Sequence, residues 1–485
     1  MIRGGALCAA VLLNARGARA QEPAPSEDAA PPALPKAPPP KEELDAARRS
    51  SAPAETVVAK PTLSDDHWTF FTNGRVGTFL NWSKGDGLPQ ATTYDLTTDQ
   101  PKHAVLTNTG GSGTGNQTSR PATKTDGTPS PVALVNTIDS MRVRSGFVGN
   151  QLVLGARRRL GNNTVTVLAD VRVIVDSQAE KKYFQTLPDV RQGYFKIEGS
   201  WGSFLAGRSE VLFNHGGVET DYLYLHGYGL GFPGDLNSSG NFPTAGQIGY
   251  GILANGYAAG FAYGTPSLAG VQLWVGLYDP ASLTGSSIER TKFLRPEFEL
   301  TIDEAIGTLG KVHVYANGGW QPNYQQNKTD DVSKAFYGAG YGARLELGIV
   351  HLAGGGHWGR GLGFTYPGLP SDAVYDNESV LRYSDGYFGM LQVVLGKFDL
   401  NGGYGQSRIK LTTFDRTAVL NPATNMIGDP AFSVIKSQAG ISAAVVFHAQ
   451  DWLHFDLDFM NADAQWSLGE RQKINYVNAG TTVTW

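Results

Sequence analysis

The chain has 485 residues, with 61 Gly, 11% aromatic residues and only 17% charged residues. That charge content is well under the roughly 25% of an average soluble domain, and the net charge of −4 implies no nucleic-acid partner. A mean hydropathy of −0.23 and the lack of any apolar run long enough to cross a bilayer as a helix exclude a helical membrane protein. The single cysteine, Cys8, rules out zinc and redox Cys patterns.

Residues 1–20 read as a secretory signal. Arg3 begins it, Gly4 to Leu13 form its apolar stretch, and Ala18-Arg19-Ala20 precede the expected cleavage at Gln21. Residues 21–64 hold PPALPKAPPP, KEELDAARR and SSAPAETVVAKP. Such Pro/Ala/charge composition buries no core and predicts an extended periplasmic linker. The remaining stretch, 65–485, reads as one all-β unit.

From His67 the pattern changes to period two. In TVTVLADVRVIV, Val165, Val167, Ala169, Val171, Val173 and Val175 share one face, with Thr164, Thr166, Asp170 and Arg172 on the other. In VRQGYFKIEGSWGSFLAGR, Gln192, Lys196 and Glu198 oppose Phe195 and Ile197. In KFLRPEFELTI, Leu294, Phe298, Leu300 and Ile302 oppose Arg295, Glu297 and Glu299; in WLHFDLDF, Leu453, Phe455, Leu457 and Phe459 oppose His454, Asp456 and Asp458. Successive strand side chains point to opposite faces, so each stretch has one apolar and one strongly polar face.

Strands are predicted near 67–82, 139–160 taken as one, 163–176, 190–200, 202–213, 257–265, 271–279, 291–303, 310–321, 335–347, 349–359, 380–395, 397–411, 433–448, 452–466 and 473–485, sixteen in all. Short turns alternate with long connections, the longest near 83–138 and 214–256. That alternation is the layout of an antiparallel transmembrane β-barrel with apolar faces on lipid and polar faces on a wet lumen. Aromatics near strand ends (Trp68, Phe70, Phe71, Trp201, Trp320, Trp358, Tyr383, Trp452, Trp466 and Trp485) predict interfacial girdles. The competing reading is a secreted all-β protein whose apolar faces pack on each other.

Four marks carry a resemblance. VRSGFVG at 143–149, VRQGYFKIEGSWGSFLAGR at 190–208, the long 214–256 segment with Gly231-Phe232-Pro233-Gly234-Asp235, and the terminal Trp485 after alternating Val477, Ala479, Thr481 and Val483 stand in the order and spacing of the general bacterial outer-membrane porins. The chain resembles that family of 16-stranded trimeric diffusion channels over about 67–485. The resemblance implies a passive pore for ions and small hydrophilic solutes in the Gram-negative outer membrane, with a third loop folded inward and no cofactor or metal. It implies contact with lipid and lipopolysaccharide, a homotrimer, and recognition of Trp485 by the barrel-assembly machinery. By motif position Arg144 and Arg208 match the family's wall arginines and Asp235 a loop acid. Arg142, Arg172 and Arg191 are neighbouring wall positions, and Glu219 and Asp221 qualify by lying on the loop. Such charges either form a constriction with a transverse field or simply brace the barrel.

Other classes stay open at this point: a substrate-selective channel for sugars or anions, with Tyr222, Tyr224 and Tyr228 as a sliding surface or as loop anchors; a barrel enzyme, for which no motif is present; and a structural barrel tethered by its Pro-rich segment. GGSGTG at 110–115 lacks the Gly-Lys-Ser/Thr ending of a phosphate loop, and the nine His show no H-E-x-x-H.

Overall fold

The computed structural model describes residues 67–485 except for 90–91, 96–99, 104–117, 120–133, 146–148, 174–188, 225–245, 281–292, 323–334, 365–373, 375–379, 414–432 and 467–470. The expected signal segment and linker (1–64) lie outside the described residues, as do Asp235 and Tyr228.

The barrel strands are β1 (Thr69–Pro89), β2 (Leu134–Arg144 continued by Asn150–Leu160), β3 (Asn163–Val173), β4 (Asp189–Gly199), β5 (Gly202–Glu210), β6 (Tyr257–Gly264), β7 (Val271–Tyr278) and β8 (Arg295–Ile306). They continue with β9 (Gly310–Gln321), β10 (Phe336–Leu347), β11 (Val350–Arg360), β12 (Tyr383–Leu395), β13 (Phe398–Lys410), β14 (Ser433–Gln450), β15 (Leu453–Trp466) and β16 (Arg471–Thr484). Each pairs antiparallel with its sequence neighbour. β1 pairs with β16 from Arg75↔Thr484 to Gly85↔Ile474, so the sixteen strands close into a barrel. Closure leaves no sheet edge to expose unpaired backbone groups to lipid. The two parts of β2 pair in succession along one side of β1, Thr69–Arg75 with Gln151–Arg157 and Phe79–Pro89 with Leu134–Arg144. They therefore lie end to end along β1 as one long strand.

β1 and β2 extend further than the turn residues of SKGDGLP suggest. A hairpin beyond the membrane can carry Gly, Asp and Pro, because water satisfies what the ladder does not.

Alternation assigns the faces. Leu154, Val167, Phe195, Phe261, Val275, Phe298, Leu391, Ile441, Leu457 and Phe459 are exposed on the outside. Arg75, Asp170, Arg172, Gln192, Glu297, Glu299, His454, Asp456 and Asp458 are buried on the inside. A soluble sandwich would show the reverse; this inversion is what a lipid-facing exterior requires. Aromatics flank the outer band at both ends. Tyr337 meets Trp358 and Tyr383 edge-on at the long-loop end, while Trp201 stacks on Tyr263 and Phe398, Phe447 and Phe455 stack in series at the short-turn end.

Two residues expected in the girdle turn inward instead. Phe71 shares the inner register of Gly155 and lies under the Arg157 guanidinium at 4.7 Å. Trp466 is buried with Phe364, Ile409, Ile435 and Ala464. Strand parity overrides aromatic character at both sites. The terminal Trp485 exchanges backbone hydrogen bonds with Gly74, and its ring covers the space where a Gly74 Cβ would project.

Candidate functional site: the inner wall and the loop after β5

The segment after β5 turns back against lumen-facing side chains. It begins with the short helix α1 (His215–Glu219). The Phe213 amide donates to Glu297 Oε2 at 2.9 Å, the Asn214 amide to Asn317 Oδ1 at 3.1 Å, and the Gly216 amide to Glu299 Oε1 at 2.8 Å. Its return leg is fastened further round the barrel. The Gly251 amide donates to Ser407 Oγ at 2.8 Å, Gln247 Nε2 to Ser442 Oγ at 2.6 Å, and Gln438 Nε2 to the Gly249 carbonyl at 2.5 Å. His357 Nδ1 lies 3.1 Å from the Gly251 carbonyl. The described parts of the segment are thus bonded to β8, β9, β11, β13 and β14 from the inside.

An apolar lining explains why the loop stays there. Val218, Leu223, Tyr224, Ile248, Tyr250 and Ile252 pack on Ala353, Phe388, Met390, Ala444, Met460, Ala462, Ile474 and Tyr476. These wall residues sit on the face that an open aqueous lumen would make polar. Burying a Leu or Ile side chain contributes about 1.5–3 kcal/mol, so several such contacts hold the loop without any single strong bond. The Gly338–Gly340–Gly342 series on β10 gives room for it: a Cβ at Gly338 would meet the Phe213 ring, and one at Gly340 would meet Asn214 and Asn317.

The loop's charged groups serve the same end. His215 Nδ1 lies 2.9 Å from Glu299, and its Nε2 lies 3.6 Å from Glu219 and 3.8 Å from Glu210. Burial by itself would lower this imidazole's hold on its proton, but Glu219, Glu299 and Glu210 outweigh it and keep His215 protonated well above 6.5. Asp221 accepts from the Leu223 amide at 2.8 Å and the Gln247 amide at 2.6 Å, which ties the two legs of the loop together. Burial pushes its carboxyl up to about 6, against the pull of those two amides. Asp221 therefore ties the loop to itself, and Glu219 pairs with His215 of the same helix while its carbonyl accepts from Arg344 of the wall. Tyr222, beside the His351 ring at 6.3 Å, and Tyr224 likewise pack on the wall as anchors.

The wall arginines divide. Arg172 is 2% exposed, bonded through Nε and Nη2 to Asp170 Oδ2 at 3.2 and 3.1 Å. Arg191 pairs with Asp189 at 2.7 Å, and both guanidinium carbons lie 5.6 Å from the Tyr257 ring. Arg142 and Arg144 stand opposite Asn81 and Phe79 of β1, on the inner register; their side chains lie outside the described residues. Arg208 is set apart from this group. It is exposed, shares the outward row of Phe204 and Ala206, and sends Nε back to the Arg191 carbonyl at 3.1 Å.

Sequence reasoning passed over Arg75, which lies inside β1 and is 5% exposed, and singled out Asp456 and Asp458 only as members of a polar face. The period-two pattern of FFTNGRVGTF could have found Arg75, because Asn73 and Arg75 share one face while Thr72 and Val76 are exposed on the other.

Sixteen antiparallel strands closed on themselves, apolar outside and charged inside, with a loop bonded to the inner wall, define a porin-type outer-membrane barrel fold. No family model and no curated protein matches the chain. Among solved structures it is similar to the outer membrane channel DcaP of Acinetobacter baumannii, at 11% identity and a TM-score of 0.55 over 87% of this chain and 99% of that one. It is also similar to an anion-selective porin from Comamonas acidovorans, at 11% identity and a TM-score of 0.51 over 86% and 100% of the two chains.

Proposed function

We propose that the protein is an outer-membrane porin, a water-filled channel for passive diffusion of ions and small hydrophilic solutes, narrowed by the loop after β5. The observation that carries this is the pairing of an apolar exterior with a charged interior in a closed barrel whose loop is bonded to the inner wall. With the described loop packed mainly against β8–β16, the adjoining wall of β1–β4 presents Arg75, Arg157, Arg172, Arg191 and Lys196 on the inner register. The family resemblance supports a homotrimer in the Gram-negative outer membrane, surrounded by lipid and lipopolysaccharide. It also supports delivery of Trp485 to the barrel-assembly machinery and a periplasmic place for the linker. The reading is of a transport protein with no catalytic step. Of the sequence-selected charges, Arg172 and Arg191 serve the constriction together with Arg142 and Arg144, with Asp235 as the loop acid that the family resemblance pairs with them. Liposomes carrying the refolded protein should swell in isotonic small sugars at a rate that falls with sugar size; liposomes that stay as tight as protein-free ones would refute the channel.

A further inference from the structure

On the inner wall, three neighbouring residues in register across β1, β2 and β3 carry donor atoms that no described residue accepts from. Arg75 stands opposite Gln151, and Gln151 opposite Arg172. Nε and Nη1 of Arg75, Nε2 of Gln151 and Nη1 of Arg172 are all buried without a hydrogen-bond partner. The residues are 5%, 5% and 2% exposed. Across β16, Asp456 is 5% exposed and neither of its carboxylate oxygens meets hydrogen-bond geometry, with the Thr482 hydroxyl of β16 as its neighbouring donor. Asp456 exerts the strongest opposite charge on Arg75, yet the two form no ion pair. β16 presents Gly480 opposite Asp456, and the fully buried Phe79 ring of β1 packs over that glycine beside the pair.

The contrast with the next acid on the same face is informative. Asp458 accepts from Asn478, which accepts from Asn81, whose Oδ1 accepts from Ser83 Oγ at 2.9 Å. That chain is complete within the protein; the Arg75–Asp456 set is open. From the loop, the Tyr224 hydroxyl bonds to the Arg172 side chain, so the set lies where the loop meets the wall. Buried charged groups with polar atoms left unbonded are costly and rare in folded proteins, and they mark places where something else completes the bonding.

We propose that this set is a binding subsite for a small zwitterion of the α-amino-acid type, its carboxylate held by Arg75, Arg172 and Gln151 and its ammonium by Asp456. A guanidinium matches a carboxylate in a two-bond geometry, and Asp456 supplies the complementary acceptor for an ammonium. A pure anion would leave Asp456 unpartnered and a pure cation would leave the arginines so; only a solute carrying both charges completes the set. The subsite rests on the porin reading, since it deepens the same lumen.

The test uses the full-length refolded protein in detergent, titrated at neutral pH with L-alanine, L-lactate and isopropylamine and followed by saturation-transfer NMR, with salt conductance measured on the same preparation. L-alanine is expected to bind at least tenfold more tightly than either single-charge analogue. Asp456→Asn should weaken L-alanine at least tenfold while leaving L-lactate as tight or tighter, a crossover that a misfolded barrel cannot give. Glu304→Gln, outside the set, should retain the parent preference. Equal binding of the three solutes, or none, overturns the subsite even where salt conducts and the channel stands. A preference for L-alanine in a barrel that does not conduct would uphold the subsite and remove the channel.

Discussion

Replacing Glu299 by Ala should release the loop after β5 from the wall. Glu299 is 2% exposed and accepts from the Gly216 amide at 2.8 Å, from Asn317 Nδ2 at 3.2 Å, and pairs with His215 Nδ1 at 2.9 Å. Two of these three contacts join the loop to the barrel. Bonds to a charged group are worth about 1.5–3 kcal/mol each, so the change should weaken docking by about 3–6 kcal/mol. At about 1.4 kcal/mol per factor of ten, the opened population rises roughly 100- to 10,000-fold. Hydrogen exchange read by mass spectrometry should show the amides of α1 losing protection by that factor, while strand amides around Leu457 keep theirs. Glu304→Ala, exposed on the same strand, serves as the control. Protection of α1 that changes less than threefold, or strand amides that fall equally, would refute the anchoring.

The remaining predictions concern pH and lipid. His215 holds its proton more strongly in the docked loop than free, so its contribution is complete below about 6.5 and is lost as pH rises through the elevated value. Protection of α1 should therefore decline on the alkaline side, and His215→Gln should flatten that decline; an unchanged alkaline slope in the variant would exclude the imidazole as its source. Asp221 acts in the opposite window. Its carboxyl is raised from 3.8 to about 6, so the docked loop keeps a proton that the released loop gives up, and docking weakens between those values. At about 1.4 kcal/mol per unit the effect approaches about 3 kcal/mol. Exchange at Leu223 and Gln247, corrected for intrinsic rates, should rise from pH 4 to 6 in the parent and stay level in Asp221→Asn; parallel slopes would refute it. On the lipid face, Leu457→Arg should cost about 2–4 kcal/mol in refolding titrations into bilayers. A cost near zero would place Leu457 away from the hydrocarbon core.

Most of the barrel was legible because a strand with lipid on one side and water on the other must alternate, and it does so in TVTVLADVRVIV and WLHFDLDF. The interior of the loop was not legible. Met390, Met460, Ile474 and Tyr476 break the polar row because they meet Leu223, Ile248 and Ile252, which are distant in sequence. The folded-back loop also buries Asp221 between its own two legs, bonded to the amides of Leu223 and Gln247, which lie far apart in sequence. Arg208 matches a motif, but its parity with Phe204 sends it outward. Arg75 and Asp456 lie far apart in sequence, and only the β1–β16 closure brings them to one wall.

The central claim is that the barrel conducts, and single-channel recording of the refolded protein in a planar bilayer tests it most directly. Discrete, stable conductance steps that scale with salt concentration are predicted. A folded, heat-modifiable barrel that inserts and never conducts would contradict the account.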